Sequence, residues 1–426
     1  MKTGFRYLLL AYVCIGFLAS CPVRMAAQYV FVNDNNNASG GNTATAYQVT
    51  GTTLSLVTGS PFPTLGTGLG TYFAANQVVE ISYGGSFKNC LFVSDPDILS
   101  SFPGGDVASF VINGNGTLTH VGNFTDPNAS GQNKRGVGLA VDRRVGFPYL
   151  FASFTDESKI VYFKVDFRTC KLFFVSATPA AGASGGAAEG MMVSKQGPHI
   201  VAVAYDDGSI QSFKVSGGLL VATQAAFNST GFVNQGGHPA GVDITKNGQF
   251  AVFGDNQFNT EVEVAAILPS GQLQSPTVDY GGAANASGVN LGPGSNSNNV
   301  WISPAVTSGY NYLYISNNYS GQVTTAQLSS TGVVSAITTC VGLFTNPTTL
   351  KNPSSFWTFS AGIHTVLPTG TGQKIVVAEY GVPSSVALLK VQAATGCTHE
   401  VAASPFADPF SNRGLFSVSV FPSRPF

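Results

Sequence analysis

The chain has 426 residues, with 20 Lys and Arg against 21 Asp and Glu, and charged residues make up only 10% of it. No field of one sign, and no basic cluster interleaved with aromatics, is present to neutralise phosphates, so nucleic acid is excluded as the expected partner. A hydrophobic share of 44% is ample for a large core, while 50 Gly and many Asn, Ser and Thr suit a surface built of β-turns.

The first element is a targeting segment. Lys2 and Arg6 form a short basic region, and Tyr7 to Leu18 is an apolar run too short to span a bilayer comfortably. Two processing routes fit. Small residues at Ala26-Ala27 suit ordinary signal cleavage, which makes 1–27 a signal peptide and Gln28 the first mature residue. Leu18-Ala19-Ser20-Cys21 also resembles a bacterial lipobox, in which Cys21 would carry a lipid. Either route takes the mature chain out of the cytoplasm, secreted or periplasmic, and no later apolar stretch reaches transmembrane length. Four cysteines then remain, Cys90, Cys170, Cys340 and Cys397, an even number for an oxidising compartment. Three connectivities are open, as are four free thiols. Pairing within neighbouring repeats favours Cys90–Cys170 and Cys340–Cys397.

From Tyr29 onward one pattern recurs. An apolar β-rich run ends in a small residue and Asn or Asp, an alternating strand follows, and a Gly-bearing turn leads to a third strand. The first runs begin at Tyr29 (YVFVND), Cys90 (CLFVSD), Tyr149 (YLFASF), Ile200 (IVAVAY), Phe250 (FAVFGD), Tyr312 (YLYISN) and Ile375 (IVVAEY). Spacings of about 50 to 63 residues match a four-stranded propeller blade better than a helical solenoid. The alternating strands include TAYQV at Thr45, VASFVI at Val107, IVYFKV at Ile160, IQSFKV at Ile210 and VALLKV at Val386. A fourth strand precedes each of these runs, as at Gly138–Asp142, Gly190–Val193, Gly241–Ile244 and Asn299–Ile302. The first repeat lacks one, because Tyr29 follows the signal peptide directly, and Leu415–Pro422 at the far end has nothing after it to pair with. The expectation is an all-β, single-domain seven-bladed propeller over 28–426, its first blade closed by the C-terminal strand.

The YVFVND run, the links Gly59-Ser60-Pro61-Phe62 and Ala403-Ser404-Pro405-Phe406, and the stretch from Gly241 to Phe250 (GVDITKNGQF) resemble the lactonase-type seven-bladed propellers, 6-phosphogluconolactonase-like, and the related bacterial YVTN-type surface repeats. The likeness covers essentially the whole mature chain and rests on strand and turn residues. It implies lactone hydrolysis and a basic, histidine-bearing set at the channel mouth, with an Arg-His pair in one blade link. Here that link reads Gly236-Gly237-His238-Pro239-Ala240-Gly241, without an adjacent arginine, and the link Lys134-Arg135-Gly136 offers arginine without histidine. His238 as base and Arg135 as oxyanion partner are the catalytic candidates that follow.

In a propeller the turn between second and third strands and the link between blades share one face, around the channel. That mouth collects Asp34, Asp95, Asp156, Asp206, Asp255, Asn317 and Glu379, with Lys134 and Arg413 from the links, as candidate ligand-binding groups. Asp and Asn after a strand also fold back onto backbone N–H groups as turn formers, the more common role. Gly182-Ala183-Ser184-Gly185-Gly186 fits a GxSxG string but precedes a strand, so it is no nucleophile elbow. Gly66-Thr67-Gly68-Leu69-Gly70 lacks the Lys-Ser/Thr of a phosphate loop. Five scattered histidines and the Asn33 to Asn37 turn give no metal set, and no cofactor is expected. Two functions from different classes remain: an extracytoplasmic scaffold binding a small molecule, sugar or cell-surface partner, and a lactone hydrolase on the same face. A monomer is expected in either case.

Overall fold

The computed structural model describes residues 27–68, 76–82, 86–96, 105–128, 136–144, 146, 148–154, 158–217, 219–228, 239–255, 260–276, 278–281, 287–292, 297–303, 310–317, 320–351, 359–366, 373–380, 384–411, 414–415 and 417–422. They form seven antiparallel sheets and no helix. Within each sheet the four main strands lie side by side, from an inner strand to an outer one.

The inner strands are Val418–Phe421 for blade 1, then Val78–Ile81, Gly136–Val141, Ala188–Val193, Pro239–Ile244, Ser297–Ile302 and Phe359–Val366 for blades 2 to 7. Each packs on the inner strands of both neighbouring blades, around a complete circle. The architecture is a seven-bladed β-propeller. Its closure is as expected: Tyr29 to Val32 pair antiparallel with Phe421 to Val418, so the C-terminal strand supplies the inner strand of the first blade. The inner strands of blades 2 and 7 are the two that the sequence pattern does not locate. Val78–Ile81 is only four residues and carries Glu80, a charge that does not advertise a buried strand. The structure neutralises it with Arg143 of blade 3 at 2.9 Å.

The second strands begin where the repeats place them, at Gln28, Asn89, Tyr149, Ile200, Phe250, Asn311 and Lys374. They read as continuous apolar runs because both of their faces are buried. In blade 1, Val30 and Val32 pack on blade 7, while Tyr29 and Phe31 pack on blade 2. The described core consists of seven such clusters, one at each interface between adjacent blades. Stability therefore resides between blades more than within them, since a lone blade would leave both apolar faces in water.

One contact recurs around the ring. The glycine of the turn between third and fourth strands lies against the residue that opens the second strand of the preceding blade. Gly116 meets Tyr29, Gly271 meets Ile200, Gly332 meets Phe250 and Gly396 meets Tyr312, each close enough that a Cβ would fall 2.3 to 2.8 Å from that side chain. All four glycines have φ between +74° and +92°, the left-handed region. In blade 3 the same turn position holds Cys170, at φ +62°, and its neighbour from blade 2 is Cys90. The two are disulfide-bonded. The bridge thus occupies the place of a glycine-on-side-chain contact. The second disulfide, Cys340–Cys397, joins blades 6 and 7 beside Gly396. Both pairings are the ones favoured by repeat adjacency.

The two Ser-Pro-Phe links are structurally equivalent. Ser60 Oγ bonds both the N–H and the carbonyl of Ala46, and Ser404 Oγ accepts from the Leu388 N–H. In blade 6 Asn346 does the same to Thr325. Phe62–Pro63 and Phe406–Asp408 then run as short extra strands on the third strands of blades 1 and 7. The grip returns each link to the mouth.

Candidate functional site: the channel mouth

The blade links and the turns between second and third strands meet at the mouth, where the inner strands begin. Five of the seven inner strands open with a break in register against the second strand, in blades 3 to 7. A bulge of this kind places two residues opposite one and redirects a side chain. In blade 4 the extra residue is Glu189: Ala188 pairs with Tyr205 and Gly190 with Ala204, leaving Glu189 out of the ladder. Glu189 is only 6% exposed. The residue after the bulge is glycine in blades 3, 4, 5 and 7, and at Gly138 a Cβ would fall 2.7 Å from the Glu189 carbonyl. Small residues there let adjacent inner strands close around the channel.

Blade 2 contributes Asn76 and Gln77 at the head of its inner strand. Asn76 holds a left-handed φ of +62°, and its carbonyl accepts from Leu139 N–H of blade 3 at 2.9 Å. Its amide reaches Met191 O of blade 4 at 3.5 Å, spanning past blade 3. Gln77 is fully buried, and neither atom of its amide has a hydrogen-bond partner among the described residues.

The aspartates expected around the mouth serve the frame wherever their side chains are described. Asp34 Oδ2 accepts from the hydroxyls of Thr43 and Thr45. Burial, and then the charge of Asp408, push its carboxyl well above the usual range. Asp95 Oδ1 accepts from Asn42 Nδ2 at 2.6 Å and Thr64 Oγ1 at 2.9 Å, both from blade 1. Burial and the charge of Asp106 raise it likewise. Gly66 sits directly on the Asp95 carboxyl, which leaves no room for a Cβ. Asp206 accepts from Ala187 N–H at 2.6 Å. Asn317 accepts from Thr260 Oγ1 and donates to Thr324 Oγ1. Glu379 accepts from Ser385 Oγ, and burial, with a smaller contribution from the charge of Glu400, lifts its carboxyl to about 7.

The Ser184 loop is built by aspartate too. Asp207 Oδ2 accepts from the N–H groups of Ser184 and Gly186, and a strand, not a helix, follows. Ser184 has no nucleophile-elbow context.

Asp156, Lys134, Arg135, His238 and Arg413 lie outside the described residues, as does the side chain of Asp255. In the chain, Arg135 directly precedes Gly136, the first residue of the blade 3 inner strand, and His238 directly precedes Pro239, the first of blade 5. Glu189 belongs to the inner strand between those two, in blade 4. Sequence reasoning missed it. Its signal was a lone charge in Ala188-Glu189-Gly190-Met191, where the other inner-strand heads are apolar, polar or glycine. Among the described residues no group of three or more His, Cys, Asp or Glu is arranged to hold a metal, and no helix is long and apolar enough to cross a membrane.

No protein-family model matches the chain, and no curated protein matches it in sequence. Solved structures do. An inferred 6-phosphogluconolactonase from Bacteroides uniformis superposes with a TM-score of 0.62 at 12% identity, covering 93% of this chain and all of the other. A second, from Bacteroides fragilis, gives 0.60 at 13% identity over 94% of this chain and 99% of its own. The periplasmic gluconolactonase of Pseudomonas aeruginosa gives 0.56 at 12% identity over 89% and 98%. The chain shares the fold of these lactonase-like propellers across nearly its full described length.

Proposed function

We propose that this protein is an exported propeller that takes a sugar-type lactone at the channel mouth and opens it by hydrolysis. The observation that carries the reading is the position of Glu189. It is a buried carboxylate displaced from the ladder by a bulge, on the inner strand flanked by the two strands that Arg135 and His238 lead into. A cation, a carboxylate and a base at, or directly before in sequence, three successive inner strands suit water attack on a cyclic ester. His238 removes a proton from water as its oxygen adds to the lactone carbonyl. Arg135 stabilises the oxyanion, the ring C–O bond breaks, and the departing alkoxide takes the proton from His238. Glu189 orients the imidazolium and balances its charge. The names of the structural neighbours point to the same substrate class, as a likeness of fold. Export is supported by the basic-apolar N-terminus and by two disulfides between blades.

The test is turnover of glucono-1,5-lactone and its 6-phosphate by the mature chain, corrected for spontaneous hydrolysis. Glu189→Gln, His238→Ala and Arg135→Ala serve as controls, each expected to lower kcat/KM at least 100-fold. Turnover no higher than in those variants overturns the hydrolase reading.

A second reading, a binding scaffold, is favoured by one observation: every described aspartate of the mouth ring is occupied in holding the frame. Lactone binding by calorimetry without turnover would select it. Intact mass of the secreted chain distinguishes cleavage before Gln28 from lipidation at Cys21.

A further inference from the structure

On the face opposite the mouth, the turn between the third and fourth strands of blade 3 stands beside the segment that enters the second strand of blade 2. Between them lies a cavity of about 420 Å³ lined by Phe87, Phe167, Phe173, Lys164, Arg168 and Asp166, with Val165 at its back. Its volume falls in the range of small-molecule sites. Phe87 and Phe173 are 48% and 49% exposed, a large uncovered aromatic surface for side chains that elsewhere in this chain fill the blade interfaces.

Cations outnumber carboxylates around it. Lys164 and Arg168 line the cavity. Lys171 holds its ammonium 5.5 Å from the centre of the Phe173 ring, and Lys88 is tied in through its N–H to the Phe167 carbonyl at 2.7 Å. Lys164, Arg168 and Lys171 thus bring three cations to the cavity and its Phe173 wall. The one carboxylate in the lining, Asp166, accepts from the Arg168 N–H and from Thr169 Oγ1, and its charge also attracts the Arg168 guanidinium. The two walls are also joined to each other. The Cys90–Cys170 bridge joins the two blades next to the cavity, and Phe87 and Phe167 meet edge to face at 6.0 Å.

We propose that this cavity is a second ligand site, separate from the mouth, that binds a small aromatic carboxylate. The ring lies among the three phenyl groups, where aromatic faces and edges complement one another, and the carboxylate is held by Lys164 and Arg168. A concave volume of this size argues for a small molecule over a protein surface, and the cation excess argues for an anion over a neutral ring.

The experiment titrates the mature protein with 2-naphthoate and, in parallel, with neutral 2-naphthamide, following binding by calorimetry. The expected result is one saturable site for 2-naphthoate, at least tenfold tighter than for the amide. Arg168→Ala and Phe173→Ser should each weaken it at least tenfold. Both replaced side chains are exposed, so melting temperatures should stay at the parent value, and lactone turnover at the mouth should be unchanged. Equal affinity for acid and amide, binding indifferent to both substitutions, or no saturable binding below millimolar concentration would each overturn the proposal.

Discussion

Tyr47 of blade 1 donates its phenolic O–H to Asp408 Oδ2 of blade 7 at 2.9 Å, joining residues 361 apart in sequence. Asp408 Oδ1 meanwhile accepts from the N–H groups of Phe410 and Ser411, and Asn36 of blade 1 donates to the Phe410 carbonyl. The bond lies on the seam where the last blade meets the first. Burial and the nearby carboxylates raise the Tyr47 hydroxyl strongly, so it stays a donor at any ordinary pH. Tyr47→Phe keeps the ring and leaves a buried carboxyl oxygen unpaired. It should cost about 1–3 kcal/mol in urea unfolding, and an unchanged midpoint would show that the seam does not depend on this bond.

The same seam carries the closing strand. Deleting the chain after Arg413 removes the inner strand of blade 1 and exposes the edge from Tyr29 to Val32, whose side chains are fully or almost fully buried. The truncated protein is expected to aggregate or to lose its cooperative thermal transition, as read by light scattering and calorimetry. A melt identical to the parent would contradict closure by the C-terminal strand.

The Cys90–Cys170 bridge closes a loop of 80 residues. Replacing both cysteines by serine should lower stability by roughly 2–5 kcal/mol. Because glycine and a large side chain hold this position between other blades, Cys90→Tyr combined with Cys170→Gly should recover a substantial part of that loss. Glycine also relieves the left-handed φ of +62° that Cys170 now carries. Equal stability of the serine and the Tyr/Gly double variants would argue against the equivalence.

Buried carboxyls give the protein a pH dependence of definite sign. Glu379 is raised from 4.5 to about 7, chiefly by burial, and Asp34, Asp95, Glu400 and Asp408 are raised as well. A carboxyl that binds its proton more tightly when folded stabilises the fold at low pH and loses that contribution as pH rises through its folded value. For Glu379 the loss falls between pH 4.5 and about 7 and amounts to roughly 3 kcal/mol. The melting temperature should therefore fall from pH 5 to pH 8, and Glu379→Gln should make that fall shallower. A melting temperature rising over the same interval would refute the assignment.

The repeats were legible because each second strand is buried on both faces. A run such as YVFV in YVFVND or YLYI in YLYISN stays apolar at successive positions before its polar end, and the turn glycines between third and fourth strands stand out at a regular distance after it. The closing strand was legible by subtraction, since Tyr29 had no strand before it and Val418 none after it. The inner strands of blades 2 and 7 were not, because they carry Glu80 in one case and Ser360 and His364 in the other. Aspartates after the second strands looked alike as candidate ligands. Only their partners show that Asp95 caps blade 1, that Asp206 holds a link, and that Asp34 faces Asp408 across the seam.

By itself the sequence determined the number of blades and the closure of the first by the last strand, and it favoured one pairing of the cysteines, because those follow from local periodicity and from which repeats are neighbours. The tertiary structure decided what sits against what across the ring. Gly116 lies on Tyr29 and Tyr47 bonds Asp408, relationships set by packing between blades tens to hundreds of residues apart, and within blade 4 a bulge lifts Glu189 out of its ladder. Strand patterns encode which faces are buried, while the identity of the facing group depends on how closely two backbones approach, and that distance exists only once the ring has closed.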